Sequence, residues 1–400
     1  MDIQKSAVRR LLLEKQQLLQ RDTNDVLIII KELECVQLDP VAAAARNHDL
    51  VLFARNSHYS IGQIEPLLAE GDVFEYMANA ACVIPVEDYP IFEPVRRRYR
   101  ERRQPDAALE KVMDMILTRL AEEGPLPSRA FKSSNRVKGY WDTTTATTKD
   151  TTLALNILFD LGKITIAKRN GSEKFFTIPE HKIPAPYLIN AEEISLEDAK
   201  EAMLNKYMRA YRVFDFEDPR FGWFKTSAKE RRTIRDRLLQ EDFIVPLHIP
   251  EVKKEYFILR EDVLRLVELN EEQRKETTNT TVTFLPPLDN LLWRRPRLKD
   301  IFNFEYTWEI YMPASKRIYG YYAMPILFGD SLIGRMNPKL LKQEKTLVVK
   351  LLQIEEHVTI DQTLINETAA SLLSFAKFHH ADRIVIEQTE PDFLLQEIVF

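Results

Sequence analysis

Glycine and cysteine are both scarce in this chain of 400 residues, which has ten of the first and two of the second. Two thiols, Cys35 and Cys82, supply neither a disulfide framework nor a thiolate zinc site. So few glycines argue against a large α/β fold with phosphate-cradling loops, and no Gly-x-Gly-x-x-Gly or Walker-type run is present. No apolar run approaches the ~20 residues that a bilayer-spanning helix needs, and Met1 to Lys5 does not begin a signal-peptide apolar region. A cytoplasmic, reducing setting without membrane attachment is therefore expected. The histidines offer no metal site: His379 and His380 are adjacent on a helix end, and His181, His248 and His357 lack partners at ligand spacing. No metal or other cofactor is expected. An overall basic excess is also missing, since the net charge is −5, which counts against indiscriminate nucleic-acid binding.

What the chain does have is ample core-forming material, with 45% hydrophobic and 10% aromatic residues. A single core rarely grows past about 250–300 residues, so several domains are expected. Positive charge is concentrated in runs such as Arg96 to Arg103, Arg129 to Lys138, Lys225 to Arg237 and Arg294 to Lys299. Each run reads either as a focused basic surface or as a solvated helix face.

The order of elements repeats. Apolar periodicity predicts helices over 5–20 and from the capping group Asp22 to Asp25 as far as Glu34, then an alanine-rich helix reaching about Ala54. Val73 to Met77 and Ala81 to Val86 read as a hairpin. A second round runs through helices at 109–121 and 147–161 to strands 163–168 and 174–178, whose Asn170-Gly171 turn is a strong hairpin signal. A third follows with helices 196–210 and 226–240 and a hairpin from 243–247 and 254–259. Helices followed by a hairpin make a winged-helix pattern. Composition shifts at Thr277 to Thr281 into an aromatic, strand-like stretch that includes Tyr306 to Tyr311, with Thr368 to Phe378 as a closing helix. The expected fold class is α+β: winged-helix motifs at 1–105, 106–190 and 191–275, and a C-terminal, antiparallel, barrel-like β domain at 276–400.

The chemistry is sought at Gln37-Leu38-Asp39. In an extended segment, residues 37 and 39 point to one side while Val36 and Leu38 face the core. An amide beside a carboxylate can hold and polarise one water molecule, the minimum a hydrolase needs without a metal or a nucleophile. The same spacing also suits a polar strand edge that caps the next helix.

Several segments, in order along most of the chain, resemble the YcaQ/AlkZ family of winged-helix DNA glycosylases, which remove alkylated purines and unhook interstrand crosslinks. They are Val36-Gln37-Leu38-Asp39 with Arg46 and His48-Asp49-Leu50, then Phe74-Glu75-Tyr76, then Phe284 to Trp293, then Tyr311 to Tyr322, and finally Gly334-Arg335. The resemblance implies tandem winged helices and a β-rich domain around a DNA channel, with Gln37 and Asp39 as the catalytic pair of the aspartate subgroup. It also implies a bacterial, nucleoid-associated monomer whose partner is double-stranded DNA bearing alkylated or crosslinked purines. Two positions depart from the family pattern: Asn79 stands where His is frequent, and Asn337 where Asp is frequent.

An N7-alkylated purine is already cationic and leaves without a general acid. The remaining task is to stabilise an oxocarbenium-like sugar and deliver water. Asp39 can do this as a base or as an electrostatic stabiliser, with Gln37 orienting the water. No lysine accompanies the motif, so a monofunctional enzyme without Schiff-base chemistry is expected. DNA contacts are expected from Arg46, His48, Lys316, Arg317 and Arg335, with Lys316 and Arg317 on a short link between strands. Trp293 and Tyr319 read either as stacking platforms or as core aromatics. The alternative from another class is a non-enzymatic, multi-winged-helix transcription regulator that reads a groove with helix 147–161.

Overall fold

The computed structural model describes residues 3–19, 25–272 and 280–400. The expected capping residues Asp22, Thr23 and Asn24, the composition shift at Thr277 to Asn279 and the boundary at 275/276 lie outside the described residues. Chain contacts gather residues 1–61 and 206–400 into one compact unit and 62–205 into another. Among the described residues, no helix is long and apolar enough to cross a membrane.

The first unit is organised by the helix Lys5–Lys15, whose Ala7, Val8, Leu11 and Leu12 are fully buried. That stripe recurs at the helical period and packs against the helices Val263–Glu271 and Arg295–Phe302. The helix Val26–Glu32 begins where the Asp25 carboxylate accepts the Leu27 and Ile28 N–H groups. The alanine-rich segment is not helical from its start. Helix begins only at Asn47 and runs to Phe53, and the Ala43 carbonyl instead accepts the Leu340 N–H at 3.1 Å. Alanine propensity yields here to a tertiary hydrogen bond and to Pro40, which blocks helix just upstream.

The C-terminal half carries a six-stranded sheet. Val282–Phe284, Met324–Phe328, Ser331–Leu341 and Thr346–Ile354 are antiparallel neighbours, as expected. Arg383–Ile386 and Thr389–Glu390 instead pair parallel with Thr346–Ile354, a correction to the all-antiparallel expectation. The helix Gln362–Phe378 supplies the length that such a parallel return requires. Tyr306 to Tyr311 is a further correction. Despite its β-favouring residues it finds no partner strand among the described residues and ends in the turn Glu309–Tyr311.

At the end of the helix Gln362–Phe378, Phe378 stacks on Phe53 with centroids 4.2 Å apart, and His379 lies against Phe375 and Phe378. The His379 Nδ1 is 2.6 Å from the Phe375 carbonyl. Burial pulls its pKa from 6.5 down to about 4, against the opposing pull of that carbonyl and of Asp49. Below pH 6.5 the unfolded chain accepts a proton that the folded chain refuses until about pH 4. Stability from this group is therefore complete above the upper value and is lost as pH falls across the interval, by up to about 3 kcal/mol. Thermal melts across that interval should show a shallower pH dependence for His379→Phe than for wild type. Parallel curves would assign the loss to other groups.

The second unit contains the hairpin Val73–Met77 with Ala81–Pro85, the helices Ala107–Glu123 and Asp150–Asp160, and the hairpin Thr165–Asn170 with Glu173–Thr177. Gly171 sits at φ 57° in the Asn-Gly turn, a backbone state that side chains other than Asn and Gly rarely adopt. Glu75, from the family-like Phe74-Glu75-Tyr76, forms a two-pronged ion pair with Arg169, and the Tyr76 hydroxyl donates to the Asp160 carbonyl. These residues tie the two hairpins and the 150–160 helix together.

Candidate active site

Gln37 ends a two-residue strand, Val36–Gln37, and Asp39 follows in a short loop. Val36 is fully buried as expected, but Leu38 is only half-buried and Gln37 is 8% exposed, so strict alternation fails after one step. Asp39 itself is half-buried, and its Oδ1 accepts the Val41 N–H at 2.8 Å. Burial pushes the Asp39 carboxyl above the ordinary aspartate range, and the Val41 N–H only partly offsets it. The Oδ2 takes no donor from the described residues, so one oxygen is held while the other is open to water or sugar.

A set of buried amides and charges fixes this segment. Asn290 donates from Nδ2 to the carbonyls of Leu33 (3.2 Å) and Cys35 (2.8 Å). Asn47 donates to the carbonyl of Gln37 at 2.9 Å and to that of Leu288 at 3.4 Å. Upstream, burial alone would raise the Glu34 carboxyl, yet Lys206 and Arg209 hold it below its usual value. The loop 286–290 is itself locked by Asp289, which pairs in bidentate fashion with Arg55 at 2.7 and 3.0 Å, both side chains fully buried. Asp289 also caps the turn Asn290–Leu292 by accepting the Leu291 N–H. The family-like Phe284 to Trp293 is therefore a clamp on the backbone that presents Asp39. Asn47, Arg55 and the roles of Asp289 and Asn290 escaped sequence reasoning, because their partners lie up to 257 residues away.

The loop between the helix Arg295–Phe302 and the strand Met324–Phe328 carries Tyr322, which lies within electrostatic reach of Asp39. The buried Glu309 carboxylate accepts the N–H groups of Ile318 (3.1 Å), Tyr319 (2.9 Å) and Gly320 (2.9 Å). Gly320 has φ 106°, and a Cβ there would stand 1.9 Å from Asn337 Nδ2. Asn337 in turn accepts the Tyr322 N–H at 3.3 Å, so this departure from the family pattern acts as a loop support. Tyr322 is buried close to Asp39. Burial first, then the charges of Tyr306 and Asp39, hold its phenol far above the ordinary range and keep it protonated. Nothing in the sequence alone marked Tyr322 as a neighbour of Asp39.

The expected DNA-contact residues divide into two sets. Lys316 is exposed, beside the outward-facing Tyr311, Ile318 and Tyr321, but in a turn of a long loop and not between adjacent strands. Arg46 is half-buried at the start of the helix Asn47–Phe53, and His48 is 6% exposed, with Nε2 3.6 Å from Asp49. Arg317 donates to the carbonyls of Met312 (2.9 Å) and Glu309 (3.3 Å), so it braces its own loop. Arg335 is 4% exposed and sandwiched between Phe304 and Tyr319, with its nitrogens given to Gln353, Glu355 and the Glu305 carbonyl. Gly334 lies inside a strand, not at a turn. Trp293 donates its indole N–H to the Leu288 carbonyl and leans on Tyr211. Arg294 is paired with Asp215, and Arg297 is fully buried on the carbonyls of Tyr211, Val213 and Leu291, so the basic run 294–299 serves mainly as internal scaffold.

The helix Asp150–Asp160 buries Leu153, Ala154, Leu155, Ile157 and Leu158, which leaves little side chain to read a groove. Against known structures, the chain is similar over 97% of its length to all of Streptomyces sahachiroi DNA glycosylase AlkZ, at 12% identity and a TM-score of 0.64. A family model described as DNA glycosylase AlkZ-like matches residues 30–375, a span that includes the clamped Gln37-Leu38-Asp39 segment and the Glu309-braced loop. The chain belongs to the AlkZ-like DNA glycosylase family.

Proposed function

We propose that this glycosylase hydrolyses the N-glycosidic bond of cationic N7-alkylpurines, including those in interstrand crosslinks, and that Asp39 and Gln37 carry the reaction. The observation that carries the reading is the Asp39 carboxylate: half-buried, one oxygen fixed by Val41 and the other without a donor among the described residues. A carboxylate in a partly desolvated setting interacts strongly with a developing positive charge on the sugar. The cationic base leaves with the electron pair of its glycosidic bond and becomes neutral. Water adds to C1′, and its proton passes to Asp39 or to solvent. Gln37, two residues before Asp39 and held at its backbone carbonyl by Asn47, takes the part of orienting that water in this reading. Three winged-helix motifs at 1–105, 106–190 and 191–275 lining a DNA channel with the β-rich domain at 276–400 complete the reading, with Lys316 and Arg46 on phosphates.

The test uses duplex DNA bearing N7-methylguanine and, separately, a nitrogen-mustard crosslink. The expected products are free 7-methylguanine with an intact abasic strand, and separated strands from the crosslink. Borohydride should trap no covalent complex, since no Schiff base forms. Release from the first substrate alone would narrow the specificity to monoadducts. Release from neither would end the proposal.

A further inference from the structure

We propose that the loop Gly139–Thr148 is a second, lesion-independent DNA contact, in which Trp141 stacks on a base or sugar while neighbouring cations hold phosphates. Trp141 is 94% exposed, whereas Trp223 is buried and Trp293 and Trp308 are half-buried. So large an apolar surface left in water calls for a partner.

The loop is built to hold that side chain outward. Its neck is the antiparallel pairing of Arg136 with Lys149 and of Val137 with Thr148. Inside it, Asp142 accepts the N–H groups of Gly139 (2.9 Å), Thr147 (3.1 Å) and Thr148 (3.1 Å) as well as both threonine hydroxyls. Gly139 is required by close approach, because a Cβ there would meet Thr148 Oγ1 at 2.1 Å. Tyr140 points the other way: its hydroxyl donates to Asp160 at 2.9 Å and Arg103 covers its ring at 4.2 Å. Residue 140 anchors the loop and residue 141 is displayed.

The surroundings select the partner. From Arg129 to Lys149 there are five cations and one acid, and that acid is Asp142, whose charge is already occupied by the loop. Lys132, Arg136, Lys138 and Lys149 are exposed, as are the hydroxyl-bearing Thr143 to Thr145. Beside Tyr140 lies a cleft of about 700 Å³, whose lining includes Arg102, Arg103 and Lys138. An aromatic platform ringed by cations suits a polyanion with π-faces, which is a nucleic-acid strand, and such stacking tolerates any sequence. The inference takes DNA as the substrate from the family and is independent of the lesion chemistry proposed above.

The experiment therefore uses the full chain and an undamaged duplex with an unpaired single-stranded overhang, whose base faces are open to stacking. Trp141→Ala is expected to weaken duplex affinity about tenfold, within the range that stacking on one base provides, and Trp141→Tyr to restore most of it. Acrylamide quenching of the wild-type tryptophan emission should fall when duplex is added. Replacing Arg136 and Lys138 together by Ala should reduce the slope of log affinity against log salt by about two. Because Trp141 is almost wholly exposed, the melting temperature of Trp141→Ala should match wild type. Unaltered affinity in Trp141→Ala, or quenching indifferent to bound duplex, would overturn the proposal and leave the loop to a protein partner.

Discussion

Asp39→Asn is expected to lower base release by about a hundred- to ten-thousand-fold, the usual weight of a positioned carboxylate, and at the same time to raise the melting temperature. Both effects follow from one physical fact. Burial raises the Asp39 pKa, so the folded protein holds the neutral form more readily than the unfolded chain does. A group of this kind stabilises fully only below its ordinary pKa of 3.8, and the benefit is lost as pH rises through the raised value. At neutral pH the ionised side chain is therefore a net cost to folding, one that the proposed role of its charge in the reaction would account for. Asparagine removes the charge and keeps an Oδ1 to accept the Val41 N–H. The wild-type rate should also fall with decreasing pH earlier than an ordinary aspartate would allow, while the residual rate of Asp39→Asn should lack that limb. Thermal melts, and release of 7-methylguanine at neutral and at falling pH, corrected for spontaneous loss, measure the three quantities. A variant that is less stable than wild type, or equally active, would remove Asp39 from the role given to it.

The same contrast between local and distant causes explains what could be read from the sequence. The hairpin Thr165–Asn170 with Glu173–Thr177 was legible because Asn170-Gly171 and the flanking β-favouring residues all act within a few positions. The helix Ala107–Glu123 was legible for the same reason, through the period of Met113, Ile116 and Leu120. Gln37 and Asp39 stood out only through an ordered resemblance, since their spacing is equally that of a strand edge. The cations were the least legible. Arg294, Arg297 and Arg335 look in the sequence like any phosphate-binding run, yet they are ion-paired or buried, held by Asp215, by main-chain carbonyls and by two aromatic rings. A guanidinium turned inward differs from one turned outward only in its partners, and those partners are remote in sequence. Trp141 drew no assignment from the sequence, since an aromatic beside Tyr140 suits core and surface alike, and it is almost wholly exposed.

Arg55→Met should destabilise the protein by about 3–5 kcal/mol, because it leaves the Asp289 carboxylate fully buried with no countercharge. The Gln16 and Val51 carbonyls lose their guanidinium donor as well. The double variant Arg55→Met, Asp289→Leu removes both charges, and a well-packed apolar pair typically recovers much of such a loss. Stability and activity are nonetheless expected to part company. Asp289 also accepts the Leu291 N–H, and this turn places Asn290 on the carbonyls of Leu33 and Cys35. Leucine cannot accept that bond, so the double variant should regain much of its melting temperature while base release stays well below wild type. Asp289→Asn in the wild-type background keeps the cap and loses the ion pair, and should show the opposite bias: lower stability with a smaller loss of rate per folded molecule. Urea melts and single-turnover release on N7-methylguanine separate the two readouts. If the double variant recovers rate and stability together, the clamp contributes only to folding. If the rate remains low in a protein that melts like wild type, the position of the 33–39 backbone is what Asp289 and Asn290 supply to catalysis.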